Sequence, residues 1–178
     1  MVPERICQIL QERFGEAIQA VNVASAHPHV VVSPDRWPEV ARFLRDEPGF
    51  GFNMLRCISS LDLPAAGKLA AVYDLISMEP PAERDGLWRS GGAFAVRVEA
   101  DRTEAHIPSV ADVWPAAEWH EREAFDMMGI VFDGHPDLRR ILCPDDWVGY
   151  PLRKDYEFPT SYHGIPATTE QDMPSPRH

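Results

Sequence analysis

Prolines at 136, 144, 151 and 159, interleaved with glycines at 134, 149 and 164, constrain this chain more than any other feature. They leave no room for a long helix, and proline cannot occupy a central strand because it brings no N–H to the ladder. The chain after Gly129 is therefore expected to be irregular. Yet it is studded with aromatics and arginines, unlike a flexible linker. Such a segment needs a surface to fold against. The reading is an α+β domain over residues 1–128 and an extended C-terminal interaction segment over residues 129–178.

Before Gly129 the apolar spacing is regular. Ile6, Ile9, Leu10, Phe14, Ala17, Ile18 and Val21 recur at helical intervals and predict a helix from about 4 to 20. Val30-Val31-Val32 reads as a short strand. Ser33-Pro34-Asp35 reads as an N-cap with proline at the first helical position, opening a helix through Trp37, Val40, Phe43 and Leu44 that stops near Pro48-Gly49. Three β-like runs follow, at Phe52 to Leu61, Leu69 to Met78 and Ala93 to Val98. Pro64-Ala65-Ala66-Gly67 and the polar loop Pro80 to Ser90 separate them. A further helix lies within Ser109 to Met128 and ends at Gly129. The expected fold is a small mixed β-sheet with helices packed on one face, then a helix and the long irregular proline-rich extension.

Composition narrows the partners. With 17 basic against 28 acidic residues the net charge is −11, which disfavours nucleic acid and general attraction to anionic lipid. No apolar run approaches the roughly 18 residues of a membrane helix, and the N-terminus MVPERICQILQERF carries charges where a signal peptide would be apolar. Cys7, Cys57 and Cys143 form no CxxC pair, which suits a reducing compartment. The expectation is a soluble, intracellular protein.

On the last helix, Trp114, Ala117, Glu121, Ala124, Phe125 and Met128 share a sector about 100° wide, with Glu123 opposite. A carboxylate on a core face is costly unless paired. Glu121 is thus expected in a buried ion pair that pins the irregular segment to the helix, with Arg122, Arg139 or Arg140 as its cation. His120-Glu121-Arg122-Glu123 also invites a metal reading, but Ala124 stands where a zinc-protease helix needs its second histidine. His135 and Asp137 could add ligands, although His-Pro-Asp is equally good turn chemistry. Dinucleotide loops, P-loops and nucleophile elbows are missing from the sequence, and nothing resembles an active site.

Asp137-Leu138-Arg139-Arg140-Ile141-Leu142, Pro144-Asp145-Asp146-Trp147 and Pro151-Leu152-Arg153-Lys154-Asp155-Tyr156 mix fork donors, acceptors and apolar anchors, as protein–protein interfaces do. The same arginines could instead pair with this chain's own excess of acids. Residue chemistry leaves both open.

The string Glu121-Arg122-Glu123-Ala124-Phe125-Asp126-Met127-Met128-Gly129-Ile130, then Gly134-His135-Pro136-Asp137-Leu138-Arg139-Arg140-Ile141-Leu142, Asp145-Asp146-Trp147, Gly149 and Pro151-Leu152-Arg153-Lys154-Asp155-Tyr156 strongly resembles one family. It is the 30 kDa (C-type) subunit family of proton-pumping NADH-quinone oxidoreductase, respiratory complex I. The match is dense over residues 107–156. It departs at Met128, where the family commonly has Phe, and at Val148, where it has an acid. The resemblance implies a non-catalytic subunit of the peripheral arm with no cofactor of its own. FMN, iron–sulfur clusters and quinone would sit on partner subunits. It implies contact with the D-type subunit that forms the quinone pocket and with neighbouring iron–sulfur subunits, through His135, Pro136, Asp137, Leu138, Arg139, Arg140, Asp145, Asp146, Trp147, Pro151, Leu152, Arg153, Lys154, Asp155 and Tyr156. Membrane association would come only through the complex, on the cytoplasmic face of a bacterial inner membrane or an organellar equivalent. Related membrane-bound hydrogenases, F420 dehydrogenases and the photosynthetic NDH complex use similar subunits and are the nearest alternative. A freestanding metal hydrolase using His120, Glu121, His135 and Asp137 is a more distant one.

Overall fold

A computed structural model describes residues 3–25, 27–48, 50–78 and 92–166. The polar loop expected at Pro80 to Ser90 and the end of the C-terminal segment lie outside the described residues. Helix α1 (Pro3–Phe14) is shorter than its apolar spacing predicts, because Gly15 turns the chain at φ +51°. A 3-10 turn (Gly15–Ala17) leads into strand β1 (Ile18–Asn22). Ala17 and Ile18 are buried as the helical spacing requires, but a turn and a strand bury them. This is a correction to the expected helix. Helix and strand periods both satisfied these few residues, and the glycine decides between them.

Strand β2 (His29–Val32) is followed by a 3-10 turn (Pro34–Arg36) and helix α2 (Trp37–Asp46). Ser33 takes the expected N-cap position of this turn, with Pro34 at its first residue, but its side chain makes no capping bond. Its carbonyl instead accepts the Arg36 N–H at 3.3 Å. Strands β3 (Met54–Leu63), β4 (Lys68–Ile76) and β5 (Ala93–Asp101) form the long part of a mixed five-stranded sheet in the order β1-β2-β5-β4-β3. Only the β2–β5 pair within it is parallel.

Register explains which face is apolar. Ile58, Tyr73, Val96, Val30 and Val21 lie in one row across all five strands. Leu69, Ala71, Leu75, Phe94 and Val98 fall on the same face by the two-residue period. Against it pack Ile6 and Leu10 of α1, Val40 and Leu44 of α2, and Ala117, Ala124 and Met128 of α3 (Ala117–Met128). Trp37 packs on Tyr73 with ring centroids 4.5 Å apart. The other face alternates small and polar residues, including Ser59, Asp74 and Arg97.

Strand β7 (Val131–Asp133) pairs in parallel with β6 (His106–Pro108), and Ile130 and Phe132 enter the core. The first residues after Gly129 therefore belong to the packed body rather than to the irregular segment. From Gly134 to Pro166 the chain is irregular except for a short hairpin, β8 (Ser161–Tyr162) and β9 (Ile165–Pro166).

Candidate functional site

Four charged side chains are buried among the described residues: Asp62, Glu121, Arg122 and Asp126. Three stand on α3, and all but Glu121 help to fix the segment that follows it. Asp126 is fully enclosed. One carboxylate oxygen receives the Arg140 guanidinium at 2.8 Å, and the other receives the consecutive N–H groups of Ile141, Leu142 and Cys143 at 2.9, 2.6 and 2.9 Å. Burial alone would raise this carboxyl, but the three N–H groups and Arg140 together hold it below its ordinary value. A buried charge so completely satisfied acts as a clamp on the loop.

A second clamp lies at the C-terminus of the helix. Gly129 adopts φ +72°, and the ring of Tyr150 occupies the place where a Cβ would stand. Arg153 and Arg140 flank that ring at 4.7 and 5.6 Å. The Arg153 Nε also donates to the Met128 carbonyl at 2.8 Å, and the Leu152 N–H to the Met127 carbonyl at 3.0 Å. These donors satisfy carbonyls that a helix end leaves unpaired.

The third clamp reaches the sheet. Asp62, at the end of β3, accepts Arg102 through both oxygens at 2.7 and 3.0 Å, and the Lys154 N–H at 2.8 Å. Arg102 also reaches Asp155 at 2.6 Å. The guanidinium beside Asp62 holds its carboxyl down at about 2, against the opposing effect of burial.

Glu121 differs from these. Its oxygens accept the Ser109 hydroxyl at 2.5 Å and the Val110 N–H at 2.8 Å. Among the described residues no arginine reaches it, which corrects the ion pair expected with Arg122, Arg139 or Arg140. Arg140 serves Asp126 instead, five positions along the helix. Arg122 is also buried, lying 4.9 Å over the Trp119 ring, with its Nε 3.4 Å from the Arg139 carbonyl and a looser approach to Asp137 at 3.9 Å. Burial pushes the Glu121 carboxyl up to about 7 against its two hydrogen bonds. His135 Nε2 lies 3.9 Å away. That ring is already engaged on both sides: Nδ1 accepts the Asp137 N–H at 3.0 Å, and Nε2 faces the Glu118 carbonyl at 3.0 Å.

The residues expected at a partner interface divide into two groups. Arg140, Arg153, Lys154 and Asp155 are anchored to Asp126, Met128, Asp62 and Arg102, and Arg139 pairs with the neighbouring Asp137 at 2.9 Å. Asp146 receives Tyr162 and His163 at 2.8 and 2.7 Å, so the hairpin is tied back on the loop. The His135 ring is fully enclosed, Leu138, Trp147, Pro151 and Tyr156 are half-buried, and Pro136, Asp145 and Leu152 are exposed. The arginines therefore mostly pair within the chain, one of the two arrangements open from residue chemistry.

The candidate hydrolase residues His120, Glu121, His135 and Asp137 do not converge on an ion site. Among the described residues no three His, Cys, Asp or Glu side chains form a metal-binding group. No helix there is long and apolar enough to cross a membrane. Sequence reasoning missed Asp62, Arg102 and Asp126. The first two meet only through folding, 40 residues apart. Asp126 lies on the side of α3 away from its apolar sector, where the later chain covers it.

Fold and clamps together define an α+β scaffold that carries a long, self-anchored C-terminal strap. Over residues 30–162 the chain matches the family of the respiratory-chain NADH dehydrogenase 30 kDa subunit, and it belongs to that family. It is 46% identical over 158 residues to the C-type subunit of NADH-quinone oxidoreductase from Chlorobium phaeobacteroides, covering 88% of this chain and 90% of the relative. The corresponding protein of Moorella thermoacetica is 42% identical, with 88% and 97% covered. Other relatives are longer: the chain covers 64% of the Chloroherpeton thalassium protein, at 42% identity. Among solved structures, a trypsin-resistant fragment of Nqo5 (residues 1–134) superposes with a TM-score of 0.56 at 33% identity, over 75% of this chain and 99% of the fragment. A chain of an archaeal membrane-bound sulfane sulfur reductase, a respiratory membrane complex, gives 0.65 at 26% identity, with 86% and 85% covered.

Proposed function

We propose that this chain is a non-catalytic structural subunit in the peripheral arm, the quinone module, of NADH-quinone oxidoreductase. In this reading the chemistry runs on its neighbours. Electrons pass from NADH through FMN and iron–sulfur clusters to quinone, coupled to proton translocation, and this chain binds none of those cofactors. It packs against the D-type subunit of the quinone pocket and adjoining iron–sulfur subunits, at the cytoplasmic face of the membrane and without entering it.

One structural observation carries the assembly role. The strap is locked by internal ion pairs, yet Leu142, Val148, Leu152, Phe158 and Ile165 stand 57–85% exposed along it, with Trp119 at 61% on the adjoining helix. Apolar side chains held at fixed positions in water are what a protein partner covers. The charges are spent on setting the shape of the strap, and the apolar groups are left to bind.

Tagging the chain in its native cell, solubilising the membranes gently and identifying co-purifying proteins tests this. Recovery with a quinone-pocket subunit, iron–sulfur subunits and an NADH-binding flavoprotein is the expected result. The likeness to the sulfane sulfur reductase chain favours a second reading, the equivalent subunit of a related membrane-bound complex. The same core partners with a different electron-donor subunit would select it. Recovery of the chain alone would refute both.

A further inference from the structure

Glu121 is the buried charge that the strap does not use. Its side chain is fully enclosed, and among the described residues no lysine or arginine forms a salt bridge with it. Its two bonds both go to one turn: Ser109 Oγ, which also accepts the Ala111 N–H at 3.2 Å, and the Val110 N–H. The same turn places Trp114, whose N–H bonds to the Val110 carbonyl at 2.9 Å and whose indole donates to the Phe52 carbonyl at 2.8 Å. The groups around the carboxyl offer little compensation. From β4, Tyr73 is fully buried with an unpartnered hydroxyl; burial raises its phenol, and the Glu121 charge raises it further. From the turn, Asp112 adds repulsion. From the segment after β7, His135 approaches at 3.9 Å, but its Nδ1 accepts the Asp137 N–H, which leaves the ring proton on Nε2 beside the Glu118 carbonyl. On α3 itself, Arg122 is engaged with Trp119, Arg139 and Asp137.

We propose that Glu121 is a protonation switch joining the Ser109–Trp114 turn to α3. Protonated, its O–H donates to Ser109 Oγ and this side chain carries no charge into the core. Ionised, it accepts from both Ser109 and Val110 and sets an unpaired charge against Tyr73. Each exchange moves one proton between this carboxyl and solvent and reverses the donor in the Ser109 bond. Burial raises the carboxyl to about 7, which places the exchange near neutral pH. This inference concerns the domain alone and does not rest on the assembly reading.

Full-length chain labelled with carbon-13 at the glutamate carboxyl carbon, titrated by NMR from about pH 4 to 9, tests it. One carboxyl is expected to titrate near pH 7, well above the ordinary glutamate value of about 4.3. Its signal should vanish in Glu121→Gln, persist in Glu123→Gln, which alters an exposed neighbour, and move to higher pH in Ser109→Ala, which loses a donor to the ionised form. A second readout follows from linkage. The folded value lies above the unfolded one, so folding takes up a proton, and stability falls as pH rises from about 4.5 to 7. Melting temperature should lose that slope in Glu121→Gln. All glutamates titrating below about pH 5, a neutral-range signal that survives Glu121→Gln, or an unmoved midpoint in Ser109→Ala would overturn the proposal. If Glu121→Gln fails to fold, the Ser109→Ala shift decides.

Discussion

Asp126 and Glu121 stand on one helix, both out of solvent, and differ in what neutralises them. Asp126 has a guanidinium on one oxygen and three N–H groups on the other, a set of four donors that offsets the loss of water. Removing it leaves Arg140 only 15% exposed with no carboxylate, and three consecutive N–H groups without an acceptor. Asp126→Ala is therefore expected to cost about 3–5 kcal/mol in urea unfolding of the isolated chain. A loss under about 1 kcal/mol would mean that the loop finds other acceptors and the clamp is not structural. Asp126→Asn should recover little, because its NH2 would face donors already competing for one oxygen.

At the scale of elements, α3 and the chain after it fold as one unit, and Gly129 is their joint. A side chain there would meet the Tyr150 ring and hold a left-handed backbone that L residues adopt at a cost of roughly 1–2 kcal/mol. Gly129→Ala should exceed that cost, because Tyr150 must leave the position where Arg140 and Arg153 flank it. Limited proteolysis would detect the change as new cleavage between Gly134 and Tyr156. An unchanged digestion pattern would separate the glycine from the strap. The helix itself is legible in sequence, and so are its stop at Gly129 and the inward direction of Glu121, because a sector of apolar residues depends only on spacing. The burial of Arg122 and Asp126 is not. A helical wheel assumes water beyond the apolar sector, and here a later segment covers those flanks through polar contacts that leave no hydrophobic signature. Strand β1 is hidden for a different reason: five residues are too few to distinguish a two-residue period from a helical one.

For the whole molecule, the division of labour between charged and apolar residues gives the assembly reading its sharpest consequence. A chain of net charge −11 has few cations to offer a partner, and Arg102, Arg140 and Arg153 are turned inward on Asp62, Asp126 and the end of α3. On the assembly reading, the exposed apolar residues of the strap are the ones left to bind. Val148 is 85% exposed and Leu152 57%, and Leu152 enters its clamp only through the backbone N–H, which a side-chain substitution keeps. Val148→Asp and Leu152→Asp should leave the stability of the isolated chain within about 0.5 kcal/mol, as surface changes do. In cells they should lower co-purification of partner subunits by about tenfold or more, the effect of one interface anchor worth ~1.4 kcal/mol. Arg140→Ala should instead lower both, because it reaches the partner only through the shape of the strap. The two kinds of variant thus separate a residue that binds from one that positions. Wild-type recovery of partners by both aspartate variants would show that the partner docks elsewhere, with the outer sheet face and its exposed Met54 and Leu61 the next surface to examine.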